Sequence, residues 1–101
     1  MNILLHTDDL MSRVRLRSRW EAAGAHLLAA DADAVPQLVV IDLNAAGARD
    51  AIVRARQQWP EAEVIAFGPH VDADGLRAAR EAGATAVVPR GKVAERVLSR
   101  L

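Results

Sequence analysis

Two apolar runs in this sequence end abruptly in carboxylates. Leu38, Val39, Val40 and Ile41 lead straight into Asp42, and Ile3, Leu4 and Leu5 lead through His6 and Thr7 into Asp8 and Asp9. The first of these runs is too short for a helix and shows no polar alternation, so it suits a strand buried on both faces of a parallel sheet. An acid after such a strand stands at the carboxyl edge of the sheet. Open α/β sheets place their ligands there, and a carboxylate is too costly to bury without a partner. Gathered at one such edge, Asp8, Asp9, Asp42, His6 and His70 would be the donor set of a small metal-dependent enzyme, provided that a pocket forms beside them. The plainer reading is that Asp42 caps or turns the chain, and that His6, inside an apolar run, is a core histidine with a satisfied ring.

The second chemical feature is a run of arginines. Arg13, Arg15, Arg17 and Arg19 alternate with Val14, Leu16, Ser18 and Trp20, which by period alone describes a strand with one basic face. On a helix the pattern is less tidy. Steps of about 100° place Arg13 and Arg17 between Leu16/Trp20 and Leu10/Val14, so both must snorkel out of the apolar arc. Good helix formers, an Asp8 or Asp9 cap, and a Glu-Ala-Ala-Gly end with Gly24 just beyond favour the helix, from Leu10 to Ala23. Such a helix could grip phosphates or nucleic acid, but a solvated, salt-bridged face is the commoner outcome. Thirteen basic residues balance thirteen acidic ones. Zero net charge argues against a general polyanion binder, and no nucleic-acid partner is expected.

The elements that must position these residues follow from the periodicity. Ile3–Leu5 is a first strand and His26–Ala30 a second. The link through Asp31 to Pro36 is about half the dozen residues that a parallel crossover helix takes. The helix between the second and third strands is therefore missing or reduced to one turn, and part of one sheet face lacks its cover. After the third strand, a turn through Gly47 leads into a helix from about Arg49 to Trp59, with Ile52, Val53, Arg56 and Trp59 at helical spacing and Pro60 enforcing the stop. Val64–Phe67 is a fourth strand that breaks at Gly68-Pro69, after which Asp72 or Asp74 caps a helix through Ala82. Ala86–Val88 is the fifth strand, Pro89-Arg90-Gly91 a turn, and Val93, Val97, Leu98 and Leu101 line a last short helix. The alternation specifies an α/β fold, a three-layer, doubly wound, five-stranded parallel sheet of flavodoxin-like type, with strand order 2-1-3-4-5.

A chain of 101 residues makes a single domain, 1–101, able to build its core without disulfides or metals. It has no cysteine, no apolar stretch of the roughly 18–20 residues that span a membrane, and no secretory pattern at its start, so a cytoplasmic location is expected.

Taken together these segments resemble the receiver domain of two-component response regulators. From Ile3 to Gly24 the spacing from strand through acidic turn to helix end fits that family without a gap. The stretch Leu38–Gly47, LVVIDLNAAG, is similar to its third strand, phosphoacceptor and following loop, and Ala79–Arg90, AREAGATAVVPR, to its approach to the fifth strand. The resemblance implies that Asp42 is the phosphoacceptor, attacking a phosphoryl donor while a magnesium ion neutralises the transferred group. It implies Asp8, Asp42 and the backbone carbonyl of Asn44 as magnesium ligands, with Asp8 and Asp9 as the acidic pair if the register slips by one. Arg90 stands in place of the family's phosphate-pairing lysine, with Lys92 as a substitute.

The departures are as informative. Thr7 stands where the first acid of the pair is usual, and Gly68 where a Ser or Thr hydroxyl reports the phosphoryl group. Val87 replaces the aromatic that swings on activation. A site that keeps acceptor and charge but loses its sensors cannot bias a two-state element in the usual way. The expectation is a degenerate receiver-like signalling domain, a protein–protein interaction module largely independent of phosphorylation. A working magnesium-dependent phosphoacceptor is the alternative, with no enzyme activity beyond self-phosphorylation at Asp42. The expected partners are a histidine kinase or an output protein, or a second copy in a homodimer, with no membrane association.

Overall fold

The computed structural model describes residues 1–29, 31–68 and 73–101. Five strands, β1 (Asn2–His6), β2 (His26–Leu27), β3 (Leu38–Asp42), β4 (Glu63–Gly68) and β5 (Ala86–Pro89), alternate with helices α1 (Leu10–Ala22), α2 (Ala48–Gln58), α3 (Ala73–Ala82) and α4 (Val93–Leu98). All strand pairs are parallel, in the order β2-β1-β3-β4-β5. This is the doubly wound receiver (CheY-like) fold.

The sheet separates two apolar layers. Ile3, Leu5, Leu38, Val40, Ile65 and Phe67 pack under α1 and α4 with Leu16, Trp20, Val93 and Val97, while Val39, Ile41, Val64 and Ala66 pack under α2 and α3 with Ile52 and Ala79. Every residue of β3 is buried, as the uninterrupted run Leu38–Ile41 requires of a strand with helices on both faces. Trp20 is fully buried and its indole N–H donates to the Ala94 carbonyl at 3.2 Å, which ties α1 to α4. Gly83 ends α3 at φ +119°, and a Cβ there would lie 2.4 Å from Arg56 Cγ. Only glycine allows both that backbone turn and that approach to α2.

The residues of α1 form a helix, but not with the expected arc. Ser12, Leu16 and Trp20 face inward, whereas Leu10, Met11 and Val14 are exposed. Leu10 and Val14 thus lie outside the core, and Arg13 does not snorkel between two apolar rows; it reaches back over the sheet edge and donates to the Thr7 carbonyl at 2.8 Å. Arg17 pairs with Glu21 on the surface at 2.7 Å.

Other boundaries move in identifiable ways. β2 is two residues long, not the five of His26–Ala30, because pairing with β1 covers only Asn2↔His26 and Ile3↔Leu27; Ala30 lies outside the described residues. Among the described residues no helix joins β2 to β3. A bond from the Ala32 N–H to the Ala29 carbonyl and bonds from Asn2 to Gln37 and Val35 hold the link instead. Asp74 lies in the first turn of α3 and not at its cap, and the alternative cap, Asp72, falls outside the described residues with Pro69 and His70. Residues Arg90–Lys92 form one turn of 3-10 helix before α4. Leu101 is exposed beyond the end of α4 and so does not line that helix.

On the face that carries α2 and α3, α2 lies over β3 and β4, and α3 lies against β5 and α2. Among the described residues, no helix lies over β1 and β2 there. Among the described residues no helix is long and apolar enough to cross a membrane.

Candidate functional site

Strand register brings the polar residues together. The last pair between β1 and β3 is His6↔Ile41, so Thr7 and Asp42 each lie one residue further on, side by side. Asp42 pairs with Phe67, and Phe67 with Val88, which sets Arg90 two residues beyond at the same edge.

Asp42 is 2% exposed and fully engaged. Its Oδ1 accepts from the Asn44 N–H and from Arg90 Nη2, both at 3.0 Å. Its Oδ2 accepts from the Thr7 hydroxyl at 2.7 Å and from the same Arg90 nitrogen at 3.0 Å. A carboxylate offers about four lone-pair positions, and here each oxygen meets two donors. The half-buried guanidinium supplies the counter-charge that the burial of Asp42 demands.

Arg90 is itself held from three sides. Its Nη1 donates to Ser12 Oγ at 2.9 Å and lies 3.9 Å from Asp9 Oδ2. Its guanidinium carbon stands 5.1 Å from the centre of the Phe67 ring, within cation–π range. The Ser12 hydroxyl donates in turn to Asp9 Oδ2 at 2.6 Å, and Asp9 caps α1 by accepting from the Met11 N–H at 3.2 Å. The hydrogen bond from Ser12, helped by backbone N–H groups and by Arg90, holds the Asp9 carboxyl below its ordinary pKa, although desolvation opposes the shift. A continuous chain therefore runs from Asp42 through Arg90 and Ser12 to the start of α1.

The other sequence-derived residues are placed elsewhere. Asp8 is exposed, and its Oδ2 accepts from the Ala46 N–H at 2.8 Å, joining the loops after β1 and β3. His6 is half-buried, with Nε2 3.2 Å from the Ala46 carbonyl oxygen. Lys92 is exposed at the start of α4, and Arg90, not Lys92, reaches Asp42. Gly68 offers no hydroxyl, and a Cβ there would stand 3.7 Å from Leu43, in ordinary contact. His70 lies outside the described residues.

A divalent cation does not fit this arrangement. Among the described residues no three His, Cys, Asp or Glu side chains stand close enough to hold one. The oxygens of Asp42 already accept from Arg90, Thr7 and Asn44, and the Asp8 carboxylate is turned to Ala46. The cleft beside Arg90, of about 280 Å³, is lined by Ser12, Arg15, Arg19 and Phe67 and by none of Asp8, Asp9 and Asp42.

Two site residues were missed as site residues in the sequence. Thr7 stood out only as the absence of an acid, yet its hydroxyl is a direct ligand of Asp42. Ser12 was not singled out, although its place three residues after Asp9 is the spacing of a helix cap and its third helical residue.

An order 2-1-3-4-5 sheet with a buried aspartate ending its central strand, facing a cation after its last strand, is the arrangement of the CheY-like receiver fold. Comparison with solved structures agrees. The chain is similar to a response regulator from Thermotoga maritima, with 17% identity, a TM-score of 0.79, and 98% of this chain and 92% of that one covered. It is similar to a CheY-like receiver domain protein from Methanospirillum hungatei JF-1, with 15% identity, a TM-score of 0.84, and 98% and 88% covered. It is also similar to a response regulator from Burkholderia pseudomallei with a phosphorylated aspartic acid, calcium ion and citrate, with 16% identity, a TM-score of 0.85, and 97% and 64% covered. At these identities the likeness establishes the fold. No protein-family model and no curated protein sequence matches the chain.

Proposed function

We propose that this chain is a degenerate receiver-like signalling domain of a two-component type, working as a protein–protein interaction module whose site is held shut by the Arg90–Asp42 pair. One observation carries the reading. Arg90 Nη2 stands 3.0 Å from both oxygens of Asp42, where a phosphoryl donor and its metal ion would have to approach. Attack on phosphorus needs an accessible lone pair on Asp42, and three donors, Thr7, Asn44 and an Arg90 nitrogen shared between the two oxygens, already stand against them. Thr7 lowers the need for a metal further, since it bonds Asp42 without adding the second carboxylate charge that a cation would neutralise. Without a hydroxyl at Gly68 and an aromatic at Val87, a phosphoryl group would also find nothing to move. The partner is a histidine kinase or an output protein, or a second copy in a homodimer.

The second reading is a live phosphoacceptor with Asp42 as nucleophile and a magnesium ion at Asp8, Asp42 and the Asn44 carbonyl. It draws support from the position of Asp42 at the end of β3 and from the phosphorylated aspartic acid of the Burkholderia pseudomallei structure. It requires Arg90 and Asp8 to leave their present partners. Intact-protein mass after incubation with acetyl phosphate and magnesium decides between the two, with Asp42→Asn as control. The interaction reading expects no adduct in the parent protein. A gain of one phosphoryl mass in the parent and not in Asp42→Asn would establish the acceptor instead.

A further inference from the structure

The absent helix between β2 and β3 leaves a groove with a definite size and chemistry. Neighbouring strands lie about 4.8 Å apart and a helix is about 10 Å across, so one helix covers about two strands. α2 covers β3 and β4, and α3 covers β5. The remaining pair, β2 and β1, is thus one helix short on that face. The resulting groove, of about 430 Å³, has Leu4, Leu28, Ala51 and Trp59 on its floor and flank, and each of these is half-buried and not shielded. Beyond Trp59 a shallower depression of about 290 Å³ continues past Val35, Pro36 and Pro60.

The charge of the groove is one-sided. Arg13, Arg17 and Arg54 line it and, among the described residues, no carboxylate does. Arg17 is neutralised by Glu21. Arg13 donates to the carbonyls of Leu5 and Thr7 and meets no acid, and Arg54 has no ion pair among the described residues. The same Arg13 contacts bear on the form of the occupant. They cover the Leu5 and Thr7 carbonyls beyond the two β1 residues that pair with β2, which opposes any extension of that short pairing; the uncovered face over β2 and β1 has the width of one helix.

We propose that this groove docks an amphipathic α-helix of a partner protein, apolar along the stripe that meets Leu4, Leu28 and Trp59 and acidic along the edge that meets Arg54. The inference adds a partner class and a surface to the interaction reading, and it rests on that reading only in expecting a protein partner. It involves neither Asp42 nor Arg90.

Trp59 is the reporter. Trp20, the other tryptophan, is 0% exposed, so changes in emission and in acrylamide quenching report Trp59. The probe is a tryptophan-free helical peptide of roughly 18 residues with leucines at i, i+3, i+4 and i+7 and glutamates on the flanks; its counterpart carries lysines in place of the glutamates. The glutamate peptide is expected to protect Trp59 saturably. Affinity is expected to fall about tenfold or more for the lysine peptide and for Arg54→Glu, and to be regained when the lysine peptide meets Arg54→Glu. Arg54 is exposed, so both Arg54→Glu and the milder Arg54→Gln are expected to fold, which circular dichroism checks. No protection of Trp59 by either peptide would overturn the proposal, as would equal binding to parent and Arg54→Glu. Concentration-dependent dimerisation that protects Trp59 without peptide would assign the groove to a second copy and also overturn it. None of these results touches the phosphorylation reading, which the acetyl phosphate experiment decides alone.

Discussion

Removing the guanidinium in Arg90→Ala strips Asp42 of two of the four hydrogen bonds, and of the only counter-charge within 4 Å, that it has among the described residues. Breaking an ion pair buried on both sides costs about 3–5 kcal/mol, because the charge left behind is uncompensated. Asp42 meets that condition at 2% exposure, but the Arg90 side chain is 26% exposed, so water can enter and repay part of the loss. The Thr7 and Asn44 donors remain as well. A cost of about 2–3 kcal/mol follows, which for a domain of this size lowers the thermal midpoint by about 10–15 °C. Asp42→Asn in the Arg90→Ala background removes the orphaned charge, so the double variant is expected to be more stable than the sum of the single losses predicts, with a coupling of about 2 kcal/mol. Urea unfolding of the four proteins measures this cycle. A coupling within about 0.5 kcal/mol of zero, the ordinary scatter of independent sites, would refute the claim that Arg90 holds the site shut.

Three other outcomes are expected. Gly68→Ser should fold and be as stable as the parent or up to about 1 kcal/mol more stable, because the strand loses a glycine and a Cβ has room beside Leu43; with Arg90 in place it should still give no phosphoryl adduct by mass. Gly83→Ala should destabilise by about 1–3 kcal/mol in thermal or urea unfolding, since it meets both the φ of +119° and Arg56 Cγ at 2.4 Å. The Asp9 carboxyl is held below its ordinary value in the folded protein, so the unfolded chain binds its proton first as pH falls. The stabilisation from Asp9 is therefore complete above that ordinary value and is lost as the pH drops below it through the native pKa. Asp9→Asn should flatten this part of the acid-unfolding profile, and an unchanged profile would contradict the Ser12–Asp9 bond.

What could be read from the residues was what burial dictates. An uninterrupted Leu38–Ile41 run suits a doubly covered strand and an acid at its end needs a partner, so the sheet and its order were legible, but which side chain would reach Asp42 was not. The short β2–β3 link likewise announced the missing helix by length alone. Side-chain choice between equally polar neighbours was not legible. Nothing in the run of arginines says that Arg13 will cover strand carbonyls while Arg15 stays solvated, and apolar identity at Leu10 and Val14 does not say that they stay outside. Ser12 was hidden for a related reason: a serine in the first turn of a helix is ordinary, and it gains meaning only because the register of β5 carries Arg90 to within 2.9 Å of it.

The two departures of this domain, a shut site and an open groove, meet on one strand. Along β3 the side chains alternate, with Leu38 and Val40 in the layer under α1 and α4 and Val39 and Ile41 in the layer under α2 and α3. Asp42 continues the first series toward Ser12 and Arg90, while Val39 and Ile41 border the groove. A helix seated in the groove would press on the back of the strand that presents Asp42 without touching the carboxylate. If the site is held by Arg90 in one arrangement, that pressure has no second state to select, and occupancy of the groove should leave the Arg90–Asp42 coupling unchanged. Repeating the double-mutant cycle with saturating glutamate peptide tests this: an equal coupling with and without peptide is expected of a fixed scaffold, and a coupling that drops by more than about 1 kcal/mol would instead make the groove and the aspartate two linked sites.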